Sequence, residues 1–331
     1  MTLTMNDWCR RAAGAGALAA AVLLASCGGG DQVSTFRASR LIAFGDEMSL
    51  IVDVNNDGNG RKYTVNSTVS TTDATLECAF NRIWIQFVAD FYDLVFPQCN
   101  HGPSAVAAPA SRIRAGVGAR AADIRTQIDA QLAESPFRDG DLATVMIGQN
   151  DILALYAQYP GVSEAQLSGA AEQAGIAVAE QVNRLADAGV KVLLATIPDT
   201  GVTPFAAKEK AANTDTDRAA LLTRLANRFN GKLRATIQND GRRIGLVLLD
   251  ELVSAVGKFK GLQGFNNANT GACDLTRSAL NPPSSLDCSN LTLITGASPD
   301  SFLWADDFNL SAGGQSSFAQ PATQRADNNP F

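Results

Sequence analysis

Short apolar runs alternate with longer helical patterns along most of the chain. Four runs have the composition of strands that are covered on both faces, without strict polar alternation: 41–44, 142–147, 190–197 and 244–249. The segments between them carry apolar residues at helical spacing, and two of these segments end in glycine after polar residues, a usual helix stop. The repeated order of strand and helix predicts an α/β fold with a mostly parallel sheet wrapped by helices.

Two insertions interrupt this rhythm. Residues 51–75 follow the first strand directly, are rich in Asn, Asp, Thr and Val, and predict a hairpin or an extended excursion. Residues 261–291 are polar and contain the sequence "NPPSS".

The first insertion contains a partial match to a calcium-binding loop. Asp53, Asn55 and Asp57 have the spacing of its first ligands, but the twelfth position is Thr64 instead of a bidentate glutamate. An Asx-rich turn explains the same residues more simply. We therefore predict no metal and no cofactor.

The beginning of the chain has the layout of a secretory signal. A basic pair precedes an apolar run and then small residues in "MTLTMNDWCRRAAGAGALAAAVLLASCGGG". The last residues of the run, "LASC", resemble the lipobox of bacterial lipoproteins, in which Cys27 carries the lipid. The resemblance implies a protein anchored to the membrane through Cys27, in the cell envelope, and at the outer membrane facing the periplasm. An ordinary secreted protein cut near the same position is the alternative.

These features divide the chain into four parts. We expect a signal peptide at 1–26, a glycine-rich tether at 27–38, a single domain at 39–320 and a C-terminal tail at 321–331. With 46% hydrophobic residues, the chain has enough apolar mass for one large core or two small ones.

The cysteines that follow the signal predict disulfide bonds. Four are left after Cys27 is assigned to the lipid, an even number in an exported chain. Of the three possible connectivities we favour Cys78–Cys99 with Cys273–Cys288, because each pair closes a short loop. No Cys-x-x-Cys spacing occurs and His101 is the only histidine, which argues against a metal site.

The charge of the chain limits its partners. The formal net charge is −6, and no basic stripe stands out. We therefore expect no nucleic-acid partner.

Four stretches, in this order, are similar to the sequence blocks of the SGNH or GDSL hydrolases, which are esterases and lipases. They are "FGDEMS" at 44–49, "GVGARAADIRTQI" at 116–128, "VMIGQND" at 145–151 and "SFLWADDFNLSAGGQ" at 301–315. The resemblance spans nearly the whole mature chain. It implies a flavodoxin-like three-layer α/β/α sandwich.

The resemblance also implies roles for individual residues. Gly118 and Asn150 match the donors of an oxyanion hole, and Asp306 matches the carboxylate that orients a base. The serine and histidine positions hold Glu47 and Asn309. A glutamate cannot form an acyl-serine, and an amide cannot act as a general base near neutral pH. We therefore expect an impaired hydrolytic centre that binds an acyl or glycan ligand, or a protein partner.

Alternative assignments keep the chain an enzyme. Ser49, two residues past the serine position, and His101 could form a relocated dyad of an active ester hydrolase. Glu47 with Asp306 or Asp307 could form a pair of catalytic carboxylates.

A structural interpretation needs no activity at all. Gly118 could serve only a tight turn, Asn150 could cap a helix, and Asp306 could pin a loop, as in a purely structural envelope protein. Four aromatic residues could instead line a cleft for a sugar ring or an acyl chain: Tyr92, Tyr156, Tyr159 and Trp304.

Overall fold

A parallel sheet forms the centre of the computed structural model, which describes residues 36–238 and 241–327. The strands in chain order are β1 (Arg40–Gly45), β2 (Ile51–Val52), β3 (Arg61–Lys62), β4 (Arg112–Ile113), β5 (Asp141–Met146), β6 (Lys191–Ala195), β7 (Ile244–Val247), β8 (Asn267–Gly271) and β9 (Phe302–Trp304). The central sheet has the order β4-β1-β5-β6-β7, and all of its neighbours are parallel. Each of the four predicted strands is present.

Helices cover both faces of this sheet. They are α1 (Trp84–Phe91), α2 (Asp123–Glu134), α3 (Gln149–Tyr156), α4 (Glu164–Asp187), α5 (Pro204–Ala212), α6 (Arg218–Thr236), α7 (Leu249–Phe259) and α8 (Ala312–Asp327). Leu41 and Ala43 of β1 pack in one core with α1, α7 and α8, whereas Ile42 and Phe44 pack in another core with α2 to α6. Successive side chains of a strand point to opposite faces, so a strand between two cores is apolar throughout. The predicted three-layer α/β/α sandwich is confirmed.

The two insertions pack against each other. In the first, β2 and β3 pair as an antiparallel hairpin. Arg61 of this hairpin pairs with Asp287 of the second insertion at 2.6 Å. The side chain of Asn66 donates hydrogen bonds to the carbonyls of Leu286 and Cys288, at 3.3 and 3.0 Å. An ion pair and hydrogen bonds therefore connect the two insertions.

The partial calcium motif forms a turn. The carboxylate of Asp53 accepts hydrogen bonds from the backbone N–H groups of Asp57 and Gly58, at 3.2 and 3.0 Å. In residues 36–238 and 241–327, no group of three His, Cys, Asp or Glu side chains could hold a metal ion.

Both expected disulfides are present. Cys78 bonds to Cys99 and Cys273 bonds to Cys288. The first connects the end of the first insertion to the segment after α1, and the second closes the second insertion.

The C-terminal boundary differs from the expected one. We expected a tail at 321–331, but α8 continues through Asp327. Ala322 and Ala326 are buried in the same core as α1, and the hydroxyl of Tyr92 donates to the carbonyl of Ala326 at 2.9 Å. This packing holds the helix together beyond Pro321, so residues 321–327 belong to the domain.

The expected signal at 1–26, the lipidation site Cys27 and most of the tether at 27–38 lie outside the described residues. Among the helices that the structure describes, none has the length and apolar character needed to span a bilayer.

Candidate functional site

The sharp turn at the end of β1 brings Glu47 to the carboxyl edge of the sheet. Gly45 has a φ of +145°, and a Cβ there would lie 2.1 Å from the carbonyl oxygen of Met146, so only glycine fits. A single helical turn, Glu47–Ser49, follows at once. The carboxylate of Asp46 caps this turn by accepting from the N–H of Met48 at 3.1 Å.

Two donors meet the carboxylate of Glu47. The backbone N–H of Gly118 donates to Oε1, and the side-chain Nδ2 of Asn150 donates to Oε2 at 2.9 Å. Gly118 has a φ of +68°, a left-handed conformation that favours glycine. We call this pair of donors, Gly118 N–H and Asn150 Nδ2, the anion cradle. The carboxylate of Glu47 occupies it.

The surrounding backbone keeps the cradle in position. Asn150 Nδ2 also donates to the carbonyl of Ala119 at 3.1 Å, which connects the first turn of α3 to the loop that carries Gly118. The carboxylate of Asp151 accepts from the N–H of Ala121 in the same loop at 2.8 Å. Burial raises the pKa of Asp151.

Asn150 does not cap the helix. It lies inside α3, after the N-cap residue Gly148, and its side chain faces Glu47.

Asp306 and Asn309 form the other half of the site. The side-chain amide of Asn309 donates to both carboxylate oxygens of Asp306, at 3.1 and 2.9 Å. Asp306 also accepts from the backbone N–H groups of Ser285, Phe308 and Asn309, at 3.1, 2.9 and 2.7 Å. Its exposed fraction is 6%. Asp306 therefore holds its own loop and is also attached to the second insertion.

One cavity of about 470 Å³ joins the two halves, with Glu47, Asn150, Asp306 and Asn309 in its lining. Much of its wall comes from residues 275–286 of the second insertion. Its apolar lining comprises Met48, Val117, Leu153, Leu275, Leu280, Pro282, Pro283, Leu286 and Phe308. The residues selected at the serine, asparagine, aspartate and histidine positions of the sequence blocks thus share one cavity.

The residues of the relocated dyad lie elsewhere. Ser49 is fully buried, and its hydroxyl accepts from Trp84 Nε1 at 3.2 Å. His101 pairs with Glu77 and lines a separate cavity beside Cys99. The structure does not bring either residue to the cavity that contains Glu47.

The carboxylates expected as an alternative catalytic pair have different hydrogen-bond partners. Glu47 binds the cradle, and Asp306 binds Asn309 and three backbone N–H groups. Asp307 forms an ion pair with Lys208 at 2.6 Å. Each carboxylate is already engaged in a separate contact.

The expected aromatic residues mostly serve the fold. Trp304 is buried and its Nε1 donates to the carbonyl of Ala268 at 3.0 Å, while Tyr156 donates to Glu209 at 2.6 Å. The aromatic residues that line the cavity are Tyr63 and Phe308. Tyr63 comes from the first insertion, whose irregular pattern gives no indication of side-chain direction.

Two buried polar residues of the cavity were not selected from the sequence. Burial, together with the charge of Glu47, raises the pKa of Asp46 well above its ordinary value. Gln149 has an exposed fraction of 6%, and its Oε1 has no hydrogen-bond partner within the described ranges. Asp46 directly precedes Glu47 in "GDE", and Gln149 directly precedes Asn150 in "GQND". This adjacency was the one sequence signal that could have pointed to them.

The family model described as GDSL-like lipase/acylhydrolase matches residues 41–321. No curated protein sequence matches the chain. Among solved structures, the chain is similar to an acetyl xylan esterase at 12% identity and a TM-score of 0.40, covering 85% of this chain and 96% of that one.

Two further structures are similar at the same level. One is a member of the lipolytic G-D-S-L family from Veillonella parvula, with 12% identity, a TM-score of 0.42, and coverage of 86% of this chain and 96% of that one. The other is a catalytic mutant of an acetylxylan esterase from Geobacillus stearothermophilus, with 11% identity, a TM-score of 0.43, and coverage of 90% and 98%.

Proposed function

Because the chain belongs to the GDSL-like lipase/acylhydrolase family, we propose that it keeps the family's site as a binding site and does not hydrolyse esters. The ligand occupies the cavity between Glu47 and Asn309. The protein acts in the bacterial cell envelope, to which the lipid on Cys27 anchors it.

The observation that carries this proposal is the position of the Glu47 carboxylate. Ester hydrolysis needs donors that are free to receive the oxygen of the tetrahedral intermediate, which becomes negatively charged. Here both donors of the anion cradle bind Glu47. A substrate oxygen would have to displace an internal carboxylate, and no serine hydroxyl would then be available at this position to attack the substrate.

Asn309 supports the same conclusion. Its amide donates to Asp306, as the N–H of a histidine oriented by this carboxylate would, but an amide cannot take a proton from a nucleophile near neutral pH. Asn309 therefore stands at the position of the base without being able to act as one.

Export and anchoring are supported by the sequence at the start of the chain and by the disulfides. The lipobox-like "LASC" ends an apolar run, and two disulfides are usual in an oxidising compartment such as the periplasm. Metabolic labelling with a fatty-acid analogue should mark the wild type and not Cys27→Ala. Labelling that persists in this variant would contradict the anchor.

Hydrolysis is tested with the soluble chain that begins after Cys27. With p-nitrophenyl acetate and p-nitrophenyl butyrate, we expect the wild type to give no more product than Glu47→Ala. Glu47-dependent turnover would overturn the proposal.

A fluorophosphonate probe tests for a relocated nucleophile. We expect no labelling, because the hydroxyl of Ser49 is buried against Trp84. Labelling of the wild type that is lost in Ser49→Ala would establish an active esterase instead.

A further inference from the structure

The cavity offers hydrogen-bond acceptors in places where a hydrolase needs donors. Asn150 uses both hydrogens of its amide, on Glu47 and on the carbonyl of Ala119. Asn309 uses its amide hydrogens on Asp306. In contrast, the buried Oε1 of Gln149 has no partner within residues 36–238 and 241–327. A ligand that brings donors fits this set better than a ligand that brings acceptors.

The charge of the cavity has the same sign throughout. Glu47, Asp306 and Asp307 are in its lining, and the described residues of that lining include no Lys, Arg or His. Asp307 is paired with Lys208, whereas Glu47 and Asp306 accept hydrogen bonds from neutral side-chain amides and backbone N–H groups.

The negative charge of the cavity affects the pKa of Tyr63. Burial raises the pKa of its hydroxyl, and the carboxylates of Glu47 and Asp306 raise it further. A phenolate would add a further negative charge, so the field that opposes it favours a cation in the same space.

The rest of the wall is apolar and large enough for a short chain. Met48, Leu153, Leu280, Leu286 and Phe308 contribute to it. A volume of about 470 Å³ is within the range of small-molecule sites.

We propose that the cavity binds a cationic amphiphile, an ammonium group that carries a short apolar chain. The ammonium group lies near Glu47, Asp306 and Gln149, and the chain packs against the apolar wall. This inference rests on the proposed function, because it names the ligand class of that non-hydrolysing site. It also gives Glu47 a role in binding. The carboxylate in the cradle repels an anionic ligand such as a fatty-acid carboxylate and attracts a cation.

Three probes with the same six-carbon chain test the charge preference: hexylammonium, hexanol and hexanoate. Calorimetric titration of the soluble wild type at low salt and neutral pH measures each affinity. We expect the ammonium compound to bind at least about tenfold more tightly than hexanol, and hexanoate to bind most weakly, because close charge pairs in a partly desolvated site couple strongly. Added salt should weaken the binding of the ammonium compound and leave that of hexanol unchanged.

Glu47→Gln tests the residue assignment. The amide keeps the size of the side chain and removes its charge, so the affinity for hexylammonium should fall about tenfold while that for hexanol is kept. Glu180→Gln removes one charge from the exposed surface of α4 and should change neither affinity. Thermal unfolding of both variants checks that they are folded.

The outcomes separate this inference from the proposed function. Equal or tighter binding of hexanoate, or no binding of the ammonium compound, would overturn the inference and leave a non-hydrolysing protein. Glu47-dependent turnover of p-nitrophenyl esters would overturn the proposed function, whatever the three probes do.

Discussion

The two halves of the site differ in the residue type that stands at a matched catalytic position. On the side of the anion cradle, a carboxylate stands at the position of the nucleophile and binds the donors directly. On the other side, the amide of Asn309 donates to Asp306 but cannot take a proton near neutral pH. Under the proposed function, the residue at the serine position affects what the site can bind, and the residue at the histidine position affects what it can do to a bound molecule.

The halves also differ in what they do for the fold. Asp306 is buried and accepts hydrogen bonds from three backbone N–H groups as well as from Asn309. Glu47 is only half-buried, and one of its two donors belongs to the exposed residue Gly118. Buried acceptors are expensive to lose, whereas water replaces an exposed partner easily. We infer that Asp306 is retained for structure and that the cradle is free to change its function.

The largest effect is expected from restoring both residue types at once. The double substitution Glu47→Ser with Asn309→His frees the cradle and supplies a nucleophile with a base beside Asp306. We expect turnover of p-nitrophenyl acetate at least about 100-fold above the wild type, because nucleophile and base act as a unit.

The single substitutions are the controls for this experiment. Glu47→Ser lacks a base and Asn309→His lacks a nucleophile, so each should stay within a few-fold of the wild type, as measured by kcat/KM. A double variant no more active than the singles would mean that the two halves are not aligned for hydrolysis.

A large change in stability is expected at Asp306. Asp306→Ala leaves the N–H groups of Ser285, Phe308 and Asn309 without their acceptor, and we expect the free energy of unfolding to fall by about 2–4 kcal/mol. Asp307→Ala is the matched control at the next position, where a surface ion pair with Lys208 contributes about 1 kcal/mol or less. Urea unfolding of both variants measures the difference. Equal losses would contradict a structural role specific to Asp306.

The pH dependence of stability tests the cradle side through Asp46. The pKa of this residue is raised in the folded protein, so the folded state still holds a proton that the unfolded state has released. Stability therefore falls as the pH rises from the ordinary carboxyl pKa, about 3.9, to the folded pKa of Asp46. Asp46→Asn cannot release this proton, and its Oδ1 still accepts from Met48.

We expect Asp46→Asn to be more stable than the wild type above the folded pKa of Asp46, and this advantage to shrink as the pH falls. Urea unfolding at several pH values between about 4 and 8 measures the trend. Asp139→Asn, on the exposed surface, should give a difference that does not depend on pH in this way. An advantage that grows on acidification would contradict the buried state of the Asp46 carboxyl group.

The sheet and the edge that carries the site could be predicted from the sequence, because they depend on local patterns. Apolar runs defined β1 and β5, and the polar residues directly after them, Glu47 and Asn150, had to lie at the same sheet edge. The disulfide pairs were predictable from loop length for the same reason.

The direction of individual side chains could not be predicted in this way. Ser49 lies two residues after Glu47, yet the helical turn between them directs its hydroxyl to Trp84. The contact between Glu47 and Gly118 joins residues 71 positions apart. The cavity wall at 275–286 comes from a polar insertion without a period, so no pattern in the sequence connects it to the site. Of these features, the contact between Glu47 and Gly118 is the one that fills the cradle.

The smallest effect is expected from Glu47→Ala, and it sharpens the contrast with Asp306. The variant leaves the two donors of the cradle without a carboxylate, but Gly118 is exposed and water can reach its N–H. The loss of Glu47 also removes a charge that raises the pKa of the neighbouring Asp46, which favours the folded state. These two effects oppose each other, so we expect the free energy of unfolding to change by less than about 0.5 kcal/mol.

Urea unfolding of Glu47→Ala, Asn150→Ala and the double variant measures this change and the coupling between the two residues. A loss as large as that of Asp306→Ala would show that Glu47 holds the fold as well, and that the cradle is not free to change.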